Sequence, residues 1–113
     1  MLRGEVWWAS LGEPVASEPG FRRPVLVVQA DAFNRSQIAT VVVAAITTNL
    51  RLALAPGNVA LTKRQSGLPQ ESVVNVSQLL TVDRSFLTEV AGHLPLNKMK
   101  EVAAGLARVL DLE

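Results

Sequence analysis

Apolar and polar positions change rhythm several times along the chain, and each change marks an element. Gly4 to Ser10 is β-prone and predicts a first strand. Residues 11–22 carry Gly12, Pro14, Pro19 and Gly20 and predict a loop; uninterrupted loops of about a dozen residues are uncommon in compact domains and tend to be functional or mobile. Pro24 to Gln29 and Ile38 to Thr47 are near-continuous apolar runs, the second rich in β-branched residues and predicted to be buried on both faces. Between them, Asp31 to Ser36 is polar and predicts one short helical turn. Pro56-Gly57-Asn58 signals a turn, followed by a short strand from Val59 to Leu61.

From Ser72 the pattern alternates. Val74 and Val76 fall on one side and Asn75 and Ser77 on the other, which predicts a half-exposed strand continuing to Val82. Asp83-Arg84-Ser85 reads as a turn or helix start, and Glu89 to His93 as a short strand. The period then changes. Met99, Val102, Ala103, Leu106, Val109 and Leu110 recur at three and four, one face of an α-helix, with Asn97 as N-cap and Glu101 near the first turn. Gly105 costs such a helix about 1 kcal/mol relative to Ala, so a close approach is expected there. The whole predicts a mainly β fold with a C-terminal helix, a strongly bent sheet or small barrel. At 113 residues the chain is expected to be one domain, residues 1–113.

Composition narrows the function classes. With 49% hydrophobic and 19% charged residues the chain reads as globular. It has no cysteine and a single histidine, His93, so neither a disulfide framework nor a zinc site is credible. The carboxylates lack Ca²⁺- or Mg²⁺-loop spacing, and no nucleotide-binding glycine motif is present. No metal or cofactor is expected. Met1 to Glu5 lacks the layout of a secretory signal, and Val41 to Ile46, the longest apolar run, is too short for a bilayer, so a cytoplasmic protein without membrane association is expected. Net charge is +1, yet residues 1–70 hold seven Lys/Arg against four Asp/Glu, which allows a local phosphate-binding site in the first half.

Candidate chemistry gathers at strand ends. Arg23 starts one apolar strand and Thr47 ends the next; the connection at 31–37 is too short for a usual parallel crossover, so an antiparallel pairing brings both to one end. The loop with Ser17, Glu18 and Arg22 enters there too. An Arg, a Thr hydroxyl and a Glu suit attack of a ribose 2′-OH on the adjacent phosphate: the guanidinium stabilises charge building on phosphoryl oxygens, and the carboxylate accepts a proton. The same residues also read as a solvated strand end, a ladder Thr and loop surface, and spacing alone does not choose. Trp7 and Trp8 point to opposite sheet faces, with core, interface and base stacking all open to them.

Over nearly its whole length the chain resembles the MazF/PemK toxins. The resemblance is carried by Gly4-Glu5-Val6-Trp7-Trp8, by Ser17-Glu18 before Arg23-Pro24-Val25-Leu26-Val27-Val28-Gln29, and by Val43-Ala44-Ala45-Ile46-Thr47. It continues through Leu68-Pro69-Gln70-Glu71-Ser72-Val73-Val74-Asn75, Gln78 and Thr81-Val82-Asp83. It implies an SH3-like small β-barrel (the CcdB/PemK-like plasmid toxin fold) acting as a homodimer. It further implies a metal-independent, ribosome-independent endoribonuclease that cuts single-stranded RNA at short sequences and leaves 2′,3′-cyclic phosphate and 5′-hydroxyl ends.

The family's catalytic Arg, Thr and loop Glu map onto Arg23, Thr47 and Glu18; Ser17, Ser72 and Gln78 map onto the RNA-binding surface. A cognate antitoxin with a disordered acidic tail is implied as partner. The chain has Ala16-Ser17-Glu18 followed by Pro19 where many members have Gly-Ser-Glu. Arg22 adds a cation many lack, which we assign to phosphate binding. The alternative is a CcdB-like gyrase-poisoning toxin without nuclease activity. That family relies on a Trp-Gly-Ile end, whereas this chain ends Leu110-Asp111-Leu112-Glu113.

Overall fold

The two apolar runs become the centre of a six-stranded antiparallel sheet. In the computed structural model, which describes residues 1–12, 16 and 21–112, the strands are β1 (Glu5–Ser10), β2 (Arg22–Val27), β3 (Thr40–Thr47), β4 (Val59–Leu61), β5 (Ser72–Asp83) and β6 (Leu87–His93). Their spatial order is β4-β5-β3-β2-β1-β6. Val25, Leu26 and Val27 are each 0% exposed, which requires cover on both faces because successive side chains point oppositely. Leu26, Ala44 and Ile46 join Val6 and Val74 in one cluster, closed by Leu94, Met99 and Val102. Val25, Val27, Val41, Val43 and Ala9 form a second, flanked by Trp7, Leu80 and Val82. The two-faced burial expected of β3 is present.

β2 begins and ends two residues earlier than its apolar run predicts. The reason is Gln29, whose Oε1 accepts the Val42 N–H at 3.2 Å while its Nε2 donates to Asn34 Oδ1 at 3.0 Å. A side chain thus takes the place of a ladder bond.

The helix α1 (Asp31–Asn34) is the expected single turn. Two short elements lie outside the sequence-based expectation. One is a 3-10 turn over Leu50–Leu54, with Asn49 accepting from the Arg51 N–H. The other is α2 (Lys63–Ser66), started by a Thr62/Gln65 capping box. α2 ends at Gly67, whose left-handed φ of +77° and position against Ala91 and Gly92 leave no room for a Cβ. That approach brings the segment after β4 onto β6, so the two edges of the sheet meet and the sheet is strongly curled.

α3 (Leu96–Val109) buries Met99, Val102 and Gly105. Asn97 is not its cap. The helix starts at Pro95, whose carbonyl accepts from Lys98 N–H at 3.0 Å and Met99 N–H at 3.1 Å; the ring-fixed φ of proline holds the entry without a side-chain cap. Gly105 lies on the backbone of Gly57, and a Cβ there would overlap the Gly57 carbonyl. The expected close approach is therefore real.

β5 carries the main irregularity. Its pairing with β3 jumps from Ala44↔Leu79 to Ala45↔Asn75, leaving Val76, Ser77 and Gln78 outside the ladder. Such bulges bend a strand and re-aim its side chains. Asn75 is consequently only 8% exposed, against the half-exposed position its alternation predicts.

Candidate active site at one end of the sheet

Four strand ends meet where β1 and β3 finish and β2 and β5 begin. Ala9 pairs with Arg23 and Ser10 with Arg22; Val25 pairs with Ala45; Thr47 pairs with Val73 and Ala45 with Asn75. Continuing the β2–β3 register by two residues places Arg23 opposite Thr47, on the face shared by Ala45 and Asn75. Directly opposed residues have Cβ atoms about 4.5–5.5 Å apart. Gly12 and Phe21, bonded through the Phe21 N–H and the Gly12 carbonyl, set the base of the loop at this same end.

The polar groups on this face are prepared differently. Thr47 Oγ1 accepts the Asn49 N–H at 3.1 Å, which leaves its hydroxyl hydrogen to donate elsewhere. Arg23 is half-buried, and among the described residues its guanidinium has no hydrogen-bond or ion-pair partner. The bulge aims Asn75 Nδ2 at Gln78 Oε1, 3.1 Å away, while Asn75 Oδ1 accepts from Ser77 Oγ at 2.8 Å. Gln78 is thus tied to the same face through Asn75.

Trp8, Arg22, Pro24 and Ser72 occupy the other face. Trp8 pairs with Pro24 and packs on the first hydrophobic cluster, whereas Trp7 packs on the second and donates Nε1–H to Glu5 at 3.0 Å. A cavity of about 200 Å³ opens here, walled by Trp8, Pro24, Leu68 and Pro69, with Arg22, Arg23, Thr48, Gln70 and Ser72 at its polar parts. Ser72 is 1% exposed and spends its hydroxyl hydrogen on the Gln70 carbonyl at 2.9 Å. Arg22 lies over the Trp8 ring, 4.4 Å from its centroid, and pairs with Glu89 at 2.8 Å.

The structure therefore gathers Arg22, Arg23, Thr47, Ser72 and Gln78 at one end; strand alternation divides their backbone positions between two faces, and Arg23 also reaches the rim of the cavity that Arg22 lines. Ser17 and Glu18 lie outside the described residues. Asn75 and Glu89 escape the sequence reading as site residues. Asn75 is visible there only as an alternating polar position, and Glu89 carries no local signal because its partner is 67 positions away. Among the described residues no group of three or more His, Cys, Asp or Glu could hold a metal ion. His93 sits at the far end of β1, paired with Glu5, its Nδ1 2.9 Å from the Leu94 carbonyl.

Among the described residues two carboxyls are held below their ordinary range, both away from this end. Asp31 is lowered chiefly by the Arg3 backbone N–H and then by Asn34. Asp83 is lowered by the Ser85 hydroxyl and backbone N–H.

Comparison with known proteins adds independent information. Residues 2–110 match the family described as PemK-like, MazF-like toxin of type II toxin-antitoxin system. Endoribonuclease MazF6 of Mycobacterium tuberculosis is 50% identical over 110 residues, covering 97% of this chain and 96% of the relative. Endoribonuclease EndoA of Bacillus subtilis is 38% identical over 110 residues, covering 97% and 94%. Among solved structures, an endoribonuclease in complex with its cognate antitoxin from a mycobacterial species superposes with a TM-score of 0.83 at 28% identity, covering 100% of this chain and 97% of that one.

Proposed function

The chain belongs to the PemK-like, MazF-like toxin family of type II toxin-antitoxin systems, and from that premise we propose that it is an endoribonuclease cutting single-stranded RNA at the Arg23/Thr47 face. The observation that carries this reading is the Arg23 guanidinium, without a partner among the described residues, at the strand end where the β2–β3 register, continued by two residues, sets it opposite Thr47. The ribose 2′-OH attacks the adjacent phosphorus, forming an O2′–P bond as the P–O5′ bond breaks. The products are a 2′,3′-cyclic phosphate and a 5′-hydroxyl, to which a proton must be delivered.

Charge grows on the phosphoryl oxygens during this step. Arg23 meets it with a planar pair of donors, and Thr47 adds the hydroxyl hydrogen that Asn49 leaves unused. Arginine stays protonated and is a poor base, so the 2′-OH proton is assigned to Glu18. On the opposite face, Arg22 takes a neighbouring phosphate and the Trp8 cavity a part of the bound strand; Ser17 and Gln78 complete the RNA contacts, while Ser72, buried and bonded to the Gln70 carbonyl, backs the cavity wall. No step requires a metal.

Partnership with a cognate antitoxin is supported by the mycobacterial endoribonuclease solved with its own. We assign the contact to a disordered acidic tail covering the Arg22/Arg23 end, since disordered segments cover large surfaces. The protein works as a homodimer in the cytoplasm; among the described residues no helix is long and apolar enough to cross a membrane. The gyrase-directed reading is not favoured, because the relatives are named endoribonucleases. The test is incubation with a long single-stranded RNA in EDTA and mapping of the ends. Discrete cuts with cyclic-phosphate ends are expected; no cutting by folded protein across RNAs of varied sequence would overturn the reading.

A further inference from the structure

Glu89 stands directly opposite Trp8 in the β1–β6 ladder, and Trp8 opposite Pro24 in the β1–β2 ladder. Three strands thus present Glu89, Trp8 and Pro24 in a row on one face, at the cavity that Trp8 and Pro24 wall. Arg22, diagonal to Trp8, lies across this row, its guanidinium 4.4 Å above the indole and 2.8 Å from Glu89 Oε1. A carboxylate at a phosphate-binding arginine is unexpected on a surface meant for RNA. It occupies donors that a phosphate would use and adds a negative charge beside it.

We propose that Glu89 is a substrate-displaced counter-ion of Arg22, holding the guanidinium over Trp8 in the free protein and yielding it to an RNA phosphate on binding. This rests on the endoribonuclease reading and adds a positioning residue to it. The pair is suited to exchange. Both side chains are more than half exposed, 53% and 67%, and ion pairs so exposed are weak and salt-screened. Trp8 supplies the part of the hold that salt does not screen, keeping the arginine stem in place while its partner changes. Glu89 thereby lowers affinity for any stray anion, and only a strand that fills the neighbouring cavity as well offsets the loss of the pair.

Four proteins decide the matter: wild type, Glu89→Gln, Arg22→Ala and the double variant. Each is titrated with a mixed-sequence single-stranded oligonucleotide carrying 2′-O-methyl groups throughout, which cannot undergo 2′-OH attack. Glutamine keeps a hydrogen-bond acceptor for Arg22 and removes only the charge. Glu89→Gln should tighten binding about three- to tenfold at low salt and steepen the salt dependence by up to about 0.7, the slope for one single-strand phosphate contact. In the Arg22→Ala background the same change should have little effect. With cleavable RNA the gain should fall on KM rather than kcat.

Equal tightening with and without Arg22 would reduce Glu89 to plain repulsion and overturn the proposal, as would no tightening at all. A wild type that never cuts unmodified RNA, while Glu89→Gln still tightens binding through Arg22, would overturn the nuclease reading and leave the counter-ion standing.

Discussion

Arg22 and Arg23 leave the same loop and enter the same strand, yet they face opposite sides of the sheet. Arg23 shares its face with Thr47, Ala45 and Asn75 and has no partner among the described residues. Arg22 is stacked on Trp8 and paired with Glu89, and the two arginines share only the rim of the apolar cavity. Strand alternation alone produces this separation. On the proposed reading two residues of identical chemistry take different tasks: a guanidinium without a partner among the described residues answers charge that appears during reaction, and a paired one exchanges partners during binding.

The largest effect expected from breaking the comparison is at Arg23. Arg23→Ala should slow single-turnover cleavage by roughly 10²–10³, the cost of losing one preorganised donor to a developing oxyanion, with thermal stability unchanged. Next comes Thr47→Val, which keeps the β-branched shape of the strand and removes one hydroxyl. A hydrogen bond to a charged group contributes about 1.5–3 kcal/mol, so a loss of roughly 10- to 100-fold in the same assay is predicted. Arg22→Ala should act on binding instead. Its RNA affinity should fall about three- to tenfold, with the salt dependence flattened by less than the roughly 0.7 of a full single-strand phosphate contact because Glu89 already offsets part of it, as read by titration across a salt series.

The smallest effect serves as a control remote from both faces. The Arg3 N–H, and after it the Asn34 amide, hold the Asp31 carboxyl below the usual aspartate range. A lowered folded pKa gives stability present above the unfolded value and lost as pH falls through the folded one. Thermal unfolding of Asp31→Asn should therefore show a slightly lower Tm than wild type at neutral pH. The difference should close below about pH 4. RNA binding and cleavage near neutrality should not move.

Much of this arrangement is legible in the order of residues alone. The apolar runs announce β2 and β3 as central strands, the three-and-four spacing announces α3, and Gly105 announces a close approach that Gly57 supplies. Short connection length is enough to bring Arg23 and Thr47 to one end. Alternation also suffices to separate Arg22 from Arg23, as it does Trp7 from Trp8.

What escapes depends on long-range geometry. Asn75 is buried by a bulge that no periodicity encodes, and Glu89 meets Arg22 only because β6 pairs with β1. The Thr62/Gln65 capping box has a readable local signature but too little apolar pattern behind it to mark a helix. Asn97 loses the cap to Pro95 because Leu94, anchored by its N–H on the Gly4 carbonyl at 2.9 Å, fixes where the chain turns.

A double-mutant cycle of Arg22→Ala and Arg23→Ala, read by single-turnover cleavage over a range of RNA concentrations, tests the division of labour most directly. The prediction is that Arg23→Ala lowers the rate at saturating RNA and barely changes the half-saturating concentration, that Arg22→Ala does the reverse, and that the double variant combines them within about 0.5 kcal/mol. Equal loss of saturated rate in both single variants, with no further loss in the double, would show one shared guanidinium cluster and contradict the two-face arrangement.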